Sequence, residues 1–318
     1  MYDLLEILAD GEFHSGAQIG VELGITRAAV WKRMQKLQQQ ADYEIESVSG
    51  KGYRLKEGVE LLDIKKVQEL SGPEFGVVLL KTVDSTNEYA KRLVRNHQRL
   101  DVVLAEEQTQ GRGRRGRQWQ SPYASNLYAS FVWPVTEGMR QLEGLSLAVG
   151  LAVLQAIDDL GVEDAGLKWP NDILVGEEKI AGVLLELIGD LADQSHVIIG
   201  VGINVNMQRP VEEIGQPWTS LRHQLGGYVS RHDVYRGLLG HLRRILSVQK
   251  LEGFAALRQQ WDARHLWRGR SVELSSGVGL VKGQVTGIND RGELGIRTSR
   301  GEEFFAGGEL SLRLANDS

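Results

Sequence analysis

The sequence of 318 residues contains no cysteine. Disulfides, thiolate metal sites and a cysteine nucleophile are therefore excluded. Long hydrophobic runs are also lacking, since the most apolar long segment, residues 145–157, has only the length of a core helix. No cationic start precedes an apolar run, and Asp3 and Glu6 come early. We therefore expect no secretory signal, no membrane partner and a cytoplasmic location.

Negative charge outnumbers positive charge over most of the chain. The net charge of −5 argues against nucleic-acid binding by the molecule as a whole. Residues 26–56 are the exception, because they hold seven Lys or Arg against three Asp or Glu, a net of +4 that leaves −9 for the remainder. Any DNA contact is thus confined to the N-terminal part. The composition, 42% hydrophobic and 25% charged, is ordinary for a soluble globular protein of two or three domains.

The first 60 residues have the pattern of a compact unit. Periodicity and turn residues predict three helices and a two-stranded hairpin, at residues 2–9, 15–23, 26–40, 43–48 and 53–55. Gly24 permits a tight turn between the second and third helices. Helix, turn, basic helix and hairpin, in this order, predict a winged helix-turn-helix domain over residues 1–60.

The third helix is the predicted DNA-recognition element. Val30, Met34 and Leu37 would face the core and leave a basic outer face. The predicted DNA contacts are Arg27, Lys32 and Gln35 on this helix and Lys51 at the hairpin tip. The alternative is a small helical bundle whose basic face is only solvated. Trp31 can complete the core as easily as touch a sugar, and the sequence leaves this open.

Between Gly111 and Arg117 the chain contains only glycine and arginine. The glycines raise the entropy cost of ordering this loop, and its four guanidiniums repel one another until an anion arrives. We expect a loop that is mobile when empty and ordered by a polyanion. Gly111, Gly113 and Gly116 also fit the dinucleotide fingerprint, but that motif must open a helix, and a predicted strand at residues 126–133 follows instead. A solvated basic loop and an anion-closing loop remain as interpretations.

Two further polar motifs have more than one interpretation. Residues 84–88 (Asp-Ser-Thr-Asn-Glu) open a predicted helix, and the spacing of Ser85 and Glu88 favours a capping box over a ligand site. Lys168 precedes Trp-Pro-Asn-Asp and lies at a strand end, because Pro170 stops the ladder. It is either a surface lysine packed on an indole or an active-site cation. Glycines inside later strands, at positions 182, 200 and 202, indicate close approach of a ligand or of a packed helix.

The remaining chain divides into two patterns. Helices and strands intermingle over residues 63–268, which predicts an α+β domain. Residues 269–318 turn to short strands, for which a small SH3-like β-barrel is the simplest solution. The boundary at residues 57–62 is soft, since neither Pro nor Gly is enriched there.

The motifs at residues 84–87, 111–117 and 168–172, in this order and spacing, resemble those of biotin protein ligases. With a winged helix in front and a small barrel behind, the whole length resembles the bacterial ligases that also repress the biotin operon. Gln118 stands where such enzymes often have a basic residue, and we expect little consequence from it. The resemblance implies a central mixed-sheet catalytic domain of the class II synthetase-like kind.

The resemblance also implies a reaction in two steps. Biotin and ATP, with Mg²⁺ on the nucleotide, give biotinyl-5′-AMP and pyrophosphate. A lysine of the biotin carboxyl carrier protein of acetyl-CoA carboxylase then takes the biotin. Because the mixed anhydride hydrolyses easily, the Arg-Gly loop would order over it and exclude water.

Site residues are carried over from the resemblance position by position. The implied biotin-binding residues are Ser85, Thr86, Asn87, Gln108, Arg112, Gly113, Arg114 and Lys168. The implied nucleotide-binding residues are Arg114, Lys168, Asn171, Asn204 and Trp218, and Lys168, Arg112 and Arg114 would be catalytic. No metal site made only of protein ligands is expected.

The family's regulation implies a homodimer that forms when the adenylate is bound and that binds biotin operator DNA. Two other functions compete with that of a biotin protein ligase and repressor. A lipoate ligase shares the catalytic fold but carries an Arg-Arg…Gly-Gly-Gly…His-Asp type signature, and no such run occurs here. A transcription factor whose central domain only senses a ligand would not need a loop suited to a transferring adenylate.

Overall fold

The computed structural model describes residues 2–40, 44–136, 138–189, 195–210, 214–276, 279–307 and 310–315. Its N-terminal elements are α1 Tyr2–Leu8, α2 Gly16–Glu22, α3 Arg27–Gln40, β1 Ile45–Val48 and β2 Gly52–Leu55. Helix α2 begins at a capping box between Ser15 and Gln18. The predicted winged helix-turn-helix is confirmed. Tyr43, which the sequence pattern places in the first strand, lies outside the described residues.

The central part alternates helices and strands. Its elements are α4 Ile64–Ser71, β3 Val77–Val83, α5 Thr86–Arg95, β4 Val102–Gln108, β5 Leu127–Val135, α6 Leu145–Asp158, β6 Ala165–Lys168, β7 Asp172–Val175, β8 Glu178–Ile188, β9 Ser195–Ile203, α7 Leu221–Leu225, α8 Arg231–Glu252 and α9 Ala255–Ala263. Short 3₁₀ turns occur at Arg114–Gly116 and Gly138–Leu142.

Seven of these strands form one mixed sheet in the order β3-β4-β5-β9-β8-β7-β6. Strands β3 and β4 are parallel because α5 crosses between them, and the other neighbours are antiparallel. Helix α6 is apolar on nearly all sides and is buried between the sheet and α8. Within the described ranges, no helix has both the length and the apolar character needed to cross a membrane. The predicted α+β architecture is confirmed.

The C-terminal part is a five-stranded antiparallel sheet. Its strands are β10 Ser271–Ser276, β11 Gly279–Ile288, β12 Leu294–Thr298, β13 Gly301–Phe305 and β14 Ser311–Leu314, in the order β13-β12-β11-β10-β14. The last strand pairs with the first, so that Leu312 lies opposite Leu274. This connectivity agrees with the predicted SH3-like barrel.

The C-terminal sheet packs closely against the central part. Trp169 is buried, and its indole N–H donates to the carbonyl of Gly292 at 3.0 Å. A Cβ added at Gly292 would lie 2.9 Å from the Cα of Gly144, so no side chain fits there. One hydrophobic core runs through both parts. The barrel therefore packs against the strand-end motif at residues 168–172 and supports it.

The segment that joins the winged helix to the central part is anchored by a buried ion pair. Arg231, at the start of α8, is fully buried, and its Nη1 lies 2.6 Å from Glu106 Oε2. Its other amino group donates to the carbonyl of Glu60. Glu106 Oε1 accepts from the backbone N–H of Leu62 at 2.6 Å. The linker at residues 57–62, whose composition does not mark a domain boundary, is thus fixed by tertiary hydrogen bonds.

We expect Glu106→Ala to lower the free energy of unfolding by about 3–5 kcal/mol, because it leaves Arg231 buried without its counter-ion. The matched control is Arg236→Ala, which removes the exposed ion pair with Asp233 on the same helix and should cost less than about 1 kcal/mol. Denaturant unfolding monitored by circular dichroism measures both. Equal losses in the two variants would contradict the anchoring role of the buried pair.

Candidate active site

The three motifs singled out in the sequence meet at one end of the seven-stranded sheet. In the parallel pair β3–β4, Val83 lies beside Gln108, so residues 84–87 and the Arg-Gly loop leave the sheet at the same edge. Together with the turn after β6, they surround a cavity of about 80 Å³. The predicted site residues that line it are Ser85, Thr86, Asn87, Gln108, Arg112, Gly113, Arg114 and Asn171.

The start of α5 departs from the prediction. Ser85 is the N-cap residue, but its side chain makes no capping hydrogen bond, so the predicted capping box is wrong. The amide of Gln108 takes that place, because its Oε1 accepts from the Thr86 backbone N–H at 2.9 Å and lies 3.0 Å from Thr86 Oγ1. Gln108 Nε2 donates to Ser121 Oγ at 2.9 Å. The buried Ser85 hydroxyl is left available to a ligand at the cavity wall.

Asn87 is fixed below the cavity. Its Oδ1 lies 2.6 Å from the hydroxyl of the buried Ser130, which also lies 2.7 Å from Thr86 Oγ1. Its Nδ2 donates to Glu186 Oε2 at 2.8 Å. A Cβ added at Gly200 would lie 2.4 Å from Asn87 Oδ1, which explains the glycine in that strand. The cavity floor is thus a connected set of hydrogen bonds that fixes donors and acceptors in place.

Arg112 is held at the mouth of the cavity by acidic side chains. Its Nη1 lies 2.5 Å from Glu88 Oε1 and 4.0 Å from Glu186 Oε1. Lys91 pairs with both of these carboxylates. Glu88, whose spacing predicts a capping role, instead positions an arginine of the loop.

The Arg-Gly loop is folded back on itself. The Gly113 N–H donates to the Arg117 carbonyl at 2.7 Å, and Arg115 adopts a left-handed conformation with φ 58°. Arg114 reaches across to the third motif, where its Nη1 donates to Asn171 Oδ1 at 3.1 Å. Burial lowers the pKa of Arg114, although Asp172 acts in the opposite direction. A strand, β5, follows the loop, which agrees with rejecting the dinucleotide fingerprint.

Lys168 ends strand β6, as the sequence predicts. Its Nζ lies 4.4 Å from the centroid of the Trp267 ring, and burial lowers the pKa of its ammonium group. It is not among the residues that line the cavity of 80 Å³. The lysine found there is Lys179, whose Nζ lies 2.6 Å from Asp172 Oδ1.

A larger cavity of about 390 Å³ adjoins the first. Asn204 and Trp218 both line it, and Asn204 Nδ2 donates to the Thr219 carbonyl at 2.9 Å. The indole of Trp119 stands between the two cavities and packs on strand glycines. A Cβ at Gly202 would lie 2.6 Å from that ring. The close approach predicted for these glycines is thus made by a side chain of the protein itself.

Trp119, Lys179 and Arg117 line both cavities and were missed as site residues. Trp119 directly follows the Arg-Gly loop, so its position beside that motif was the available signal. Lys179 had a weaker signal, since it lies in a hairpin strand that returns toward Asp172. Only the tertiary ion pair reveals its place.

The predicted DNA contacts lie on the winged helix as expected. Arg27, Lys32 and Gln35 are exposed on α3, while Val30 and Met34 are buried. Lys51 is exposed at the hairpin, with its Nζ 5.6 Å from the ring of Phe13. Trp31 is exposed and does not complete the core.

Comparison with known proteins identifies the family. The model of the biotin/lipoate A/B protein ligase family matches residues 79–204, and an HTH domain model matches residues 1–54. The chain is 37% identical over 314 residues to the bifunctional ligase/repressor BirA of Escherichia coli K12, which covers 98% of this chain and 97% of that relative. The chain belongs to the biotin/lipoate A/B protein ligase family.

Other members of this ligase family agree with the assignment. The bifunctional ligase/repressor BirA of Bacillus subtilis is 31% identical, covering 98% of each chain. The structure of the biotin protein ligase from Aquifex aeolicus in complex with biotin and ATP superposes with a TM-score of 0.66 at 32% identity. It covers 76% of this chain and 99% of its own. The family resemblance stated from the motifs is confirmed.

A pH titration tests the geometry at the first motif of this ligase-family site. Hydrogen bonds from Arg92 hold the pKa of Asp84 at about 2, against an ordinary value of 3.8. A depressed carboxyl pKa adds stability that is present above pH 3.8 and is lost as the pH falls toward 2. Carbon NMR of the carboxyl should therefore give a midpoint near 2 in the wild type and a higher one in Arg92→Ala. The same midpoint in both proteins would show that the ion pair does not set it.

Proposed function

We propose that this chain is an ATP-dependent biotin protein ligase that also represses biotin biosynthetic genes by binding DNA. The ligase would form biotinyl-5′-AMP and transfer biotin to a lysine of the biotin carboxyl carrier protein of acetyl-CoA carboxylase. The observation that carries the proposal is the meeting of three motifs at one cavity, where Arg114 from the loop bonds Asn171 of the third motif. Family membership over nearly the full length supports the same function.

In the first step a carboxylate oxygen of biotin attacks the α-phosphorus of ATP, and pyrophosphate leaves. Both reactants are anions, so the step needs fixed cations. Arg112, Arg114 and Lys168 are assigned this catalytic role, with Gly113 providing close backbone approach at the carboxylate–phosphate junction. A preorganised donor of this kind is typically worth about a hundredfold or more in rate.

The two cavities suit the two halves of the adenylate. The smaller, polar one is assigned to the ring end of biotin, with Ser85, Thr86, Asn87 and Gln108 as its hydrogen-bonding residues. Thr86 and Asn87 are already held by Gln108 and Ser130, so they would present fixed groups. The larger cavity, with Asn204 and Trp218, is assigned to the nucleotide. Asn171 and Arg114, which line the smaller cavity, and Lys168, at the end of β6, are assigned to the nucleotide as well.

Mg²⁺ would neutralise the phosphates and would be bound chiefly by their oxygens. Within the described residues there is no group of three His, Cys, Asp or Glu side chains able to hold a metal alone.

In the second step the acceptor lysine amine attacks the acyl carbon, the bond to phosphate oxygen breaks, and AMP leaves. Before that attack the adenylate must be kept from water. The Arg-Gly loop covers the smaller cavity with Arg112 and Arg114, and it is assigned the role of a lid that orders over the adenylate.

Three functional units follow from this assignment. Residues 1–60 bind operator DNA through Arg27, Lys32, Gln35 and Lys51, residues 63–268 catalyse, and residues 269–318 support the site. Adenylate-bound protein forms the homodimer that represses. The exposed basic face of α3 and the Lys51 hairpin support the DNA assignment.

Exchange of labelled pyrophosphate into ATP tests the ligase directly. We expect exchange that depends on biotin, because the first step is reversible and releases pyrophosphate. Lipoic acid replaces biotin as the matched control and should give background only. Exchange that depends on lipoic acid would indicate a lipoate ligase, and no exchange with either acid would leave a ligand sensor without adenylation.

A further inference from the structure

Trp31 is a large apolar side chain that the ligase site does not use. It lies within helix α3 and is 54% exposed. The residues that do fill the core from this helix are Val30, Met34 and Leu37, with exposures of 0%, 3% and 0%. The fold therefore does not need the indole for its own packing.

Helical spacing places Trp31 within the basic face of α3. It lies four residues after Arg27 and four before Gln35, so the three side chains form one stripe along the helix. Lys32 is the next residue along the helix and is also exposed. Ala28, a turn earlier, is exposed and small, which leaves the indole accessible from that side.

The charge around this stripe identifies the kind of partner. Helix α3 carries Arg27, Lys32, Arg33 and Lys36 and no acidic residue. The hairpin tip adds Lys51, whose Nζ lies 5.6 Å from the centroid of the Phe13 ring, while Arg54 is paired with Glu46 at 2.7 Å. Like charges on a helix and a hairpin disfavour a second copy of this face. These positive charges favour a polyanion that can contact the helix and the hairpin at the same time. Duplex DNA is such a polyanion.

We infer that Trp31 reads the operator sequence by apolar contact with a thymine methyl group in the major groove. This inference rests on the proposed DNA-binding function and names one determinant of its specificity. The indole carries no charge, so it neutralises no phosphate and contributes little to non-specific affinity. A thymine methyl is the apolar group exposed on base edges in the major groove, where a recognition helix lies.

The experiment begins with the full-length protein, biotin, ATP and Mg²⁺, which select binding sites from a pool of randomised DNA duplexes. Affinity for the selected duplex is then measured for the wild type, Trp31→Ala and Lys32→Ala over a range of salt concentrations. We expect Trp31→Ala to lose roughly fivefold or more in specific affinity, the low end of the range for one altered base pair. Its salt slope should equal that of the wild type, whereas Lys32→Ala should flatten the slope by about one unit.

Replacement of single thymines by uracil identifies the contact. At one selected thymine the loss of the methyl should weaken wild-type binding and leave Trp31→Ala binding unchanged. Biotin-dependent pyrophosphate exchange should be the same in both proteins, which shows that the catalytic part of the variant is folded, and the unchanged salt slope shows that its winged helix is folded. Its oligomeric state should also match the wild type.

Other results would overturn the inference. If the wild type selects a sequence and Trp31→Ala binds it equally well, Trp31 is not a base-reading residue. If Trp31→Ala instead loses self-association, the indole belongs to a protein interface. If the wild type selects no sequence at all, the proposed DNA-binding function fails and this inference fails with it, while the exchange assay still reports on the ligase.

Discussion

One carboxylate, Asp172, lies near three cations, Arg114, Lys168 and Lys179. The site depends on the unfavourable free energy of holding these like charges close to one another. Burial lowers the pKa of both Arg114 and Lys168, while Asp172 is already paired with Lys179 at 2.6 Å. Cations withdrawn from water are unfavourable unless an anion compensates them. The stability of the sheet and the packed barrel behind Trp169 hold these groups in place. A carboxylate and a polyphosphate entering the two cavities would add negative charge beside Arg114 and Lys179, which line them.

The same sheet connects this site to the winged helix. Strand β4 ends in Gln108, whose amide caps α5 at the cavity, and two residues earlier it carries Glu106. Glu106 holds both Arg231 and the backbone of Leu62 in the linker. After the Arg-Gly loop the chain returns to Tyr123, which packs into the winged-helix core and donates to Glu6 at 2.9 Å. Strand β4 and the segment that follows the Arg-Gly loop therefore contact the linker and the core of the winged helix, respectively.

The element order was predictable because hydrophobic periodicity marks strands and helices. The grouping of the three motifs at one site was implied by the family resemblance and not by their spacing. Local rules failed where a distant residue competed. At Ser85 the capping pattern was overridden by Gln108, whose amide oxygen accepts from the N–H of Thr86, 22 residues away from it. The position of the Trp119 side chain also could not be predicted from the sequence. It depends on Gly182 lying opposite Gly202 in the register of β8 and β9. Such contacts are properties of the assembled sheet.

The central claim is that the half-buried charge of Lys168 serves a ligand and not the fold, and Lys168→Met tests it most directly. Methionine keeps the apolar stem that packs beside Trp267 and removes the charge. The measurement is the unfolding temperature with and without a stable biotinyl-adenylate analogue. We predict that the free variant is at least as stable as the wild type and that the ligand raises its unfolding temperature much less. A free variant that is clearly less stable, with an undiminished ligand effect, would contradict the account.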